Sequence, residues 1–240
     1  RGRRLRALRG VLTAPTLRPD GSVLDRPGFD PETGLLLLLP GHGVVEVPVC
    51  PTIEQCRAEL ETLWQPFAQF PFVDAVDAGV HLAALLTAVV RRSLPTAPAF
   101  AYDAPVQGSG KTLIARAVAA LCSGSAPAVT PHIGGKGDDE VRKRLFALLL
   151  EGAPYVVWDN VTGQFDSASL AGFLTSERYK DRDLGRSRVP EVPNTAIFVM
   201  TGNNLRFAGD LPRRVLVSRI DPKVDAPMLR RFGFNPLTQV

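Results

Sequence analysis

The stretch from residue 100 to residue 121 constrains the fold more than any other part of the chain. It reads as a short apolar strand, a glycine-rich turn and an alanine-rich helix that begins with Lys-Thr, the order that a phosphate-binding loop requires. Gly108 and Gly110 let the backbone point its N–H groups inward around a polyphosphate, and the helix start adds unpaired donors and the positive end of its dipole. Lys111 can reach the outer phosphates, and the Thr112 hydroxyl is placed to bind Mg²⁺. The sequence therefore predicts a site for a polyphosphate and Mg²⁺.

The turn differs at one position from the usual pattern G-x-x-x-x-G-K-[ST], because Pro105 stands where the first glycine is expected. A proline, with φ fixed at about −65°, can still enter a tight loop, and we interpret the turn as a variant. A chance glycine-rich turn is the alternative, which the register of strand, loop, Lys-Thr and helix disfavours. The residues predicted to bind the nucleotide are Gln107, Gly108, Ser109, Gly110, Lys111, Thr112 and Leu113.

Composition excludes several classes of protein. At 240 residues, 45% hydrophobic and 22% charged, the chain has an ordinary globular composition, with room for one large domain or a nucleotide-binding core with an appendage. The longest apolar stretch, residues 80–90, is interrupted by His81 and is too short to span a bilayer, and no secretory signal is visible. We therefore expect a cytoplasmic protein without a membrane partner. The chain begins without Met, and we expect a fragment of a longer protein.

The pattern of apolar runs and turn residues divides the chain between residues 96 and 97. Residues 1–96 predict a small β-rich unit followed by helices, and nothing in them indicates a function. Residues 97–240 alternate strand and helix, which predicts an α/β fold with a parallel sheet flanked by helices. The predicted helices of this part cover 111–122, 137–151 and 166–175, and the predicted strands cover 128–132, 154–158, 196–201 and 214–220.

A second apolar strand ends in Asp159, where a P-loop ATPase places the carboxylate that holds Mg²⁺. We predict that Asp159 and Thr112 bind the metal. The next residue is Asn160, whereas most hydrolytic relatives carry a glutamate there that polarises the attacking water. An amide can orient a water but cannot accept its proton. Either positioning and charge stabilisation suffice for phosphoryl transfer, or Asp166 or Glu177 supplies the carboxylate.

A third buried strand, residues 196–201, leads into consecutive amides at Asn203 and Asn204. Ligands bind at the carboxyl ends of parallel strands, so we expect these amides to contact the γ-phosphate or the attacking water. Asn203 is the first choice and Asn204 the second. The alternative is a Gly-Asn turn in which the asparagine caps the backbone.

Two arginines, Arg213 and Arg214, stand at the head of the last predicted strand, soon after the amide pair. Such a pair suits an arginine finger, which completes the site of a neighbouring subunit and stabilises the charge of the transition state. Arg214 is the preferred finger, followed by Arg213 and then Arg219. Surface salt bridges are the alternative.

These motifs together resemble those of AAA+ ATPases. More narrowly, they are similar to those of superfamily 3 helicases and of the helicase-like ATPase part of phage and mobile-element primase–helicase proteins. The resemblance covers roughly half the chain and rests on residues 107–112, 156–160, 201–204 and 210–214. It implies an AAA+-like P-loop NTPase fold, a hexameric ring, ATP bound between subunits, and single-stranded or forked DNA in the central pore. A primase or other domain covalently linked outside this stretch is a further implied partner.

In superfamily 3 relatives a hairpin before the amide-bearing strand carries basic residues into the pore, and residues 178–190 occupy that place. Five basic residues outweigh two acidic ones there, Gly185 allows a tight turn, and Tyr179 offers a stacking surface. A solvated loop is the alternative. The predicted DNA-binding residues are Lys180, Arg182, Arg186 and Arg188.

The predicted function is an ATP-hydrolysing ring motor, helicase-like, that acts on DNA in the replication of a phage, plasmid or mobile element. The residues predicted to act in catalysis are Lys111, Asp159, Asn160, Asn203, Arg214 and Arg213. One alternative is a replication initiator or helicase loader that does not unwind DNA. The other is a nucleotide-binding assembly module with little hydrolysis, which Asn160 in place of a glutamate keeps open.

Overall fold

The computed structural model describes most of the chain, and the elements named below fall within that part. The described residues are 8–39, 47–48, 50–124, 127–131, 137–183, 188–224, 227 and 233–239. The strands are β1 (Gly10–Leu12), β2 (Thr16–Leu17), β3 (Val23–Leu24), β4 (Gly28–Asp30), β5 (Leu35–Leu37), β6 (Ala99–Ala104), β7 (Thr130–Pro131), β8 (Tyr155–Val161), β9 (Gln164–Phe165), β10 (Arg178–Lys180), β11 (Glu191–Pro193), β12 (Ile197–Asn203), β13 (Arg206–Phe207) and β14 (Val215–Arg219). The α-helices are α1 (Ile53–Trp64), α2 (Ala75–Val90), α3 (Lys111–Ser123), α4 (Asp138–Leu150), α5 (Ala168–Thr175) and α6 (Pro236–Gln239).

The central sheet is parallel and has the strand order β14–β6–β12–β8–β7. Its inner strands are near-continuous apolar runs because helices cover both faces, and every residue of β6 is buried. The predicted fold class is confirmed: the chain is α/β, with a parallel sheet flanked by helices. Strands β8 and β12 extend further than predicted, to Val161 and Asn203, so the polar residues near their ends belong to the strands themselves.

Successive side chains of the sheet point into two separate cores. In β6, Phe100 and Tyr102 face the core that α2 and α3 cover, whereas Ala99 and Ala101 face the core that α4 and α5 cover. A slip of one residue in the pairing of β6 would exchange the two sets, so burial on both faces fixes the register of the sheet. The loops at the strand ends are aligned by that register.

Strands β1 to β5 form a small unit at the amino-terminal ends of the central strands. Hydrogen bonds attach it to the last turns of two helices: Thr16 Oγ1 donates to the Val89 carbonyl of α2 at 2.9 Å, and Thr13 Oγ1 donates to the Ser123 carbonyl of α3. Since α3 runs back from the carboxyl ends of the strands, this unit lies on the opposite edge of the sheet from the turn at 105–110. The core of the unit consists of Leu12, Leu24, Leu35 and Leu37.

Helix α2 precedes the predicted domain boundary between residues 96 and 97, yet it packs in the same core as α3. The boundary itself stays a prediction. Within the described residues, no helix combines the length and the apolar character needed to cross a membrane.

His81 of α2 is fully buried and makes folding dependent on pH. Its Nδ1 is hydrogen-bonded to the Tyr102 hydroxyl at 2.7 Å, and the rings of Phe67 and Phe72 lie against it. Burial lowers the pKa of His81 to about 3, because desolvation disfavours the imidazolium. Between that pKa and the ordinary value of a histidine, the folded state binds fewer protons than the unfolded chain, so stability falls as the pH drops through this window.

We expect this residue alone to lower the free energy of unfolding by about 2 kcal/mol between roughly pH 7 and pH 5. Urea unfolding at the two pH values measures the change. A His81→Gln variant is the control, because it lacks the titrating group and should lose this part of the pH dependence. The same pH dependence in both proteins would contradict the assignment.

Candidate nucleotide site

Residues 105–110 form the turn between β6 and α3, and two glycines shape it. Gly108 has φ +73° and Gly110 has φ +99°, in the left-handed region that favours glycine. A Cβ at Gly110 would also lie 2.9 Å from the ring of Phe70. Both the backbone conformation and the available space therefore require glycine at 110, and they keep the tight turn that anion binding at the start of α3 needs.

Lys111, the first residue of α3, folds its side chain back into the turn. Its Nζ donates hydrogen bonds to the Val106 carbonyl and the Ser109 hydroxyl, both at 3.0 Å. Burial lowers the pKa of Lys111, and the nearby carboxylates of Asp103 and Asp159 oppose that shift. The ammonium is thus held inside the loop by two neutral acceptors, where an anion would be a stronger partner.

The Asp159 carboxylate joins three elements of the fold. Thr112 Oγ1 of α3 donates to Asp159 Oδ1 at 2.8 Å, and Thr201 Oγ1 of β12 donates to the same oxygen at 2.5 Å. The Thr201 hydroxyl in turn accepts a hydrogen bond from the Asn160 backbone N–H at 3.1 Å. The position of this carboxylate is therefore set by the phosphate-loop helix and by the neighbouring strand. Thr201 was missed by the sequence interpretation, although a threonine within an otherwise apolar strand was a signal.

The oxygens around Asp159 suit Mg²⁺. This ion prefers oxygen ligands and is usually held by one or two carboxylates together with phosphates and water. Asp159 and Thr112 provide one carboxylate and one hydroxyl within hydrogen-bond distance of each other. In the described ranges, no group of three or more His, Cys, Asp or Glu side chains could hold a metal ion. The residues present fit a metal that takes its remaining ligands from a polyphosphate and water.

The predicted asparagines lie at the carboxyl ends of β8 and β12. Asn203 pairs in register with Ala104, the last residue of the strand that leads into the loop. Its Oδ1 is buried without a hydrogen-bond partner among the described residues. Asn160 and Asn204 are exposed and have φ +60° and +52°. A buried amide oxygen without a partner is costly, so Asn203 is the amide best prepared to meet a ligand.

Asp103 of β6 fixes the turn that follows Asn203 and Asn204. Its buried carboxylate accepts the Leu205 backbone N–H at 2.9 Å, and its carbonyl accepts the Ile220 N–H at 2.9 Å. The same carboxylate is one of the charges that act on Lys111. Asp103 therefore links the phosphate-loop strand to both of its neighbours, a role that the sequence pattern did not indicate.

The two alternative carboxylates lie in different places. Asp166 is exposed between β9 and α5, where it approaches Gly209. Glu177 immediately precedes β10, and its carbonyl accepts the N–H of Asn194, which precedes β12. Glu177 is thus at the amino-terminal edge of the sheet, and the structure does not bring it to the phosphate loop of its own chain.

The three arginines predicted as possible fingers lie at opposite ends of β14. Arg213 and Arg214 precede β14, whereas Arg219 ends it, with its Nε 3.9 Å from the Asp103 carboxylate. Arg214 is held within its own chain, since it donates to the Ala171 carbonyl and to Asp210. The Arg213 side chain is 70% exposed, and its ion pair is with Asp210 at the surface. A contact with a neighbouring chain therefore favours Arg213, not the Arg214 that we preferred from the sequence.

The predicted hairpin is a two-stranded antiparallel ribbon of β10 and β11. Lys180, Arg182 and Arg188 are exposed, and Arg188 forms an ion pair with Asp183. Arg186 lies outside the described residues. Tyr179 does not offer a stacking surface, because it is half-buried against Phe146 and Phe173. The ribbon thus presents charge outward and uses its aromatic ring to attach to α4 and α5.

The strand, turn and helix, with a buried lysine and a strand-end carboxylate bonded to the helix threonine, have the arrangement of a P-loop NTPase fold. No family model and no curated protein matches the chain. Among solved structures it is similar to the C-terminal region of NrS-1, at 14% identity and a TM-score of 0.48, over 93% of this chain and 48% of the other. It is also similar to the JCV helicase, at 17% identity and a TM-score of 0.36, over 71% of this chain and 45% of the other. The chain therefore spans about half the length of the solved structures it matches.

Proposed function

We propose that this chain is the ATPase part of a helicase-like ring motor that uses ATP and Mg²⁺ to act on DNA in the replication of a phage, plasmid or mobile element. The observation that carries the proposal is the Asp159 carboxylate, which the hydroxyls of Thr112 and Thr201 hold beside the start of α3. A strand-end carboxylate bonded to the loop threonine is what a site for a Mg²⁺-bound polyphosphate requires.

In this proposal each side chain of the site has one task. Lys111 exchanges the Val106 carbonyl and the Ser109 hydroxyl for phosphate oxygens and stabilises the charge that develops on the transferred group. Thr112 and Asp159 bind the metal. Asn203 contacts the attacking water through its buried Oδ1, which accepts, or the γ-phosphate through its Nδ2, which donates.

The site is completed by a neighbouring chain, in the proposed ring of six. Arg213 and the phosphate loop lie at opposite edges of the same parallel sheet, separated by a strand of five residues, or roughly 16 Å. An arginine at that distance cannot reach the phosphates of its own chain, but it can enter the site of the next one. Its exposure supports this role.

Asn160 supports a second candidate function, the assembly module that uses ATP to hold subunits together. Its amide stands where a general base is expected, and of the two alternative carboxylates Glu177 lies at the amino-terminal edge of the sheet, away from Asn160. Slow hydrolysis would leave nucleotide binding as the main event.

Steady-state phosphate release from Mg²⁺–ATP, with and without single-stranded DNA, tests the proposal. The motor predicts turnover that rises when DNA is added, together with displacement of a strand from forked DNA. Stimulated turnover without strand displacement would favour an initiator or loader. Tight ATP binding and ATP-dependent oligomers with no turnover would favour the assembly module, and absence of nucleotide binding would contradict all three.

A Thr201→Val change tests the support of the metal carboxylate. The valine keeps the shape of the side chain but removes the hydroxyl that donates to Asp159 and accepts the Asn160 N–H. We expect the Mg²⁺ concentration for half-maximal turnover to rise by about tenfold. A Mg²⁺ titration of ATP turnover measures this, with Thr62→Val as the matched control, because Thr62 is an exposed threonine of α1. An unchanged Mg²⁺ requirement would show that Thr201 does not support the metal.

A double change, Lys180→Ala with Arg182→Ala, tests the ribbon. Both side chains are exposed, and neither forms an ion pair with a residue that the structure describes. If each neutralises one DNA phosphate, the slope of log K against log salt concentration should become less steep by about 1.4. Fluorescence anisotropy of a labelled single strand across a salt series measures the slope, and the double variant Arg26→Ala with Arg57→Ala is the control. Equal slopes for the ribbon variant and the wild type would contradict the contact.

A further inference from the structure

A cavity of about 700 Å³ lies at the amino-terminal edge of the sheet, on the far side from the phosphate loop. One wall is the small β1–β5 unit, the second is the segment 92–95 between α2 and β6, and the third is the base of the β10–β11 ribbon with residues 193–195. A volume of this size is typical of a pocket for a small organic ligand. Nothing in the proposed ATP site uses this cavity.

One of the arginines that line the cavity has no polar partner in the part of the chain that the structure describes. Two adjacent arginines directly follow α2, and they differ in burial and in hydrogen bonding. Arg91 is buried and donates to the carbonyls of Leu94, Asn194 and Ala196 at 2.8, 2.7 and 2.9 Å. Arg92 lines the cavity and makes no hydrogen bond or ion pair with any residue that the structure describes.

The position of Arg92 removes water from its charged guanidinium, which is unfavourable. Its guanidinium lies over the backbone of β1, where a Cβ on Gly10 would come within 2.8 Å of it. Desolvation lowers the pKa of Arg92, because burial disfavours its charge. A half-buried guanidinium without an acceptor loses hydration that a bound anion would replace.

The remaining walls carry charges of both signs. Arg9 is exposed at the rim, and Arg178 lies there in an ion pair with Glu191. Three acidic residues, Asp20, Glu32 and Glu177, also line the cavity. The ligand that suits these walls has an anionic group for the arginines and hydrogen-bond donors for the glutamates.

We propose that this cavity binds one nucleotide, with its phosphate on Arg92 and its sugar hydroxyl or base amino group on the glutamates. The nucleotide could be free, or it could be a unit of a single strand that passes along the ribbon. The site stands independently of the proposed ATPase, and only the DNA source rests on that proposed function.

Two probes distinguish the sources. The first is dCMP, which has one phosphate and an amino group on its base. Its binding is measured by equilibrium dialysis. Saturating Mg²⁺ and a non-hydrolysable ATP analogue are present, so that the phosphate loop is already filled. The second is a labelled oligomer of deoxycytidines, measured by anisotropy under the same conditions. The proteins are the wild type, Arg92→Ala, the rim variant Arg9→Glu with Arg178→Glu, and Arg57→Ala as an exposed-arginine control.

We expect Arg92→Ala and the rim variant each to weaken binding by about tenfold or more, and the control to bind as the wild type does. If the variants bind both dCMP and the oligomer more weakly than the wild type does, the site accepts free nucleotides. If they bind only the oligomer more weakly, the site is a DNA site. The rim variant keeps the test valid if Arg92→Ala does not fold, because both rim residues are at the surface. Binding of both probes that is unaffected by the changes, or no binding of either probe to the wild type, would overturn the proposal. ATP turnover measured in parallel separates this failure from failure of the proposed ATPase.

Discussion

Replacing Lys111 with alanine is expected to lower the rate of ATP turnover by a factor of about 10² to 10³. The Lys111 ammonium is the cation that the loop holds at its centre, 3.0 Å from the Val106 carbonyl and the Ser109 hydroxyl. Alanine leaves no positive charge to meet the phosphoryl group as its charge spreads in the transition state. The turnover rate at saturating Mg²⁺–ATP measures the loss.

The matched control is Lys143→Ala. Lys143 is a lysine of α4 at the surface, in an ion pair with Asp139. Its removal should change turnover by less than about twofold, since exposed ion pairs contribute little. Thermal unfolding of both variants shows whether a loss reflects the site or the fold. A folded Lys111→Ala protein with near-normal turnover would defeat the assignment of the loop.

The second large effect is expected at Arg213, where Arg213→Ala should lower turnover by about 10³-fold or more. The side chain is exposed and lies at the opposite edge of the sheet from the loop, so its proposed partner is the phosphate of the next chain. Arg214→Ala should act differently. That side chain donates to the Ala171 carbonyl and the Thr175 hydroxyl of α5, and its loss should lower thermal stability together with activity.

Mixing two inactive proteins tests whether Arg213 acts between chains. A Lys111→Ala chain still carries Arg213, and an Arg213→Ala chain still carries an intact loop. In a mixed ring, some interfaces therefore combine both intact parts, and turnover should reappear on mixing. Mixtures that stay as inactive as the separate variants, under conditions where the chains exchange, would contradict an arginine that acts in trans.

The sequence was sufficient for features that depend on local pattern. Apolar runs and glycine positions located the central strands and the turn before α3, and the position of Asp159 near the end of an apolar strand was readable directly. Contacts that depend on strand order were not readable. Thr201 reaches Asp159 because β12 lies between β6 and β8, and no local pattern specifies that order.

Side-chain packing explains the other differences. Tyr179 looked available for stacking because its neighbours are charged, but the ring fills space between Phe146 and Phe173. Arg214 was preferred to Arg213 from the sequence, yet the backbone at residues 211–213 turns Arg214 toward α5 and Arg213 toward solvent. Arg92 was not singled out from the sequence, because its burial depends on the distant β1 strand, which lies against its guanidinium at Gly10.

Calorimetric titration with a non-hydrolysable ATP analogue, with Mg²⁺ present and with Mg²⁺ chelated, tests the central claim most directly. The claim is that Lys111, Thr112 and Asp159 form a site for Mg²⁺-bound ATP. It predicts binding that weakens by about tenfold or more when Mg²⁺ is removed and again when Asp159 is changed to Asn. Binding of equal strength in all three cases, or no binding by the wild type, would contradict it.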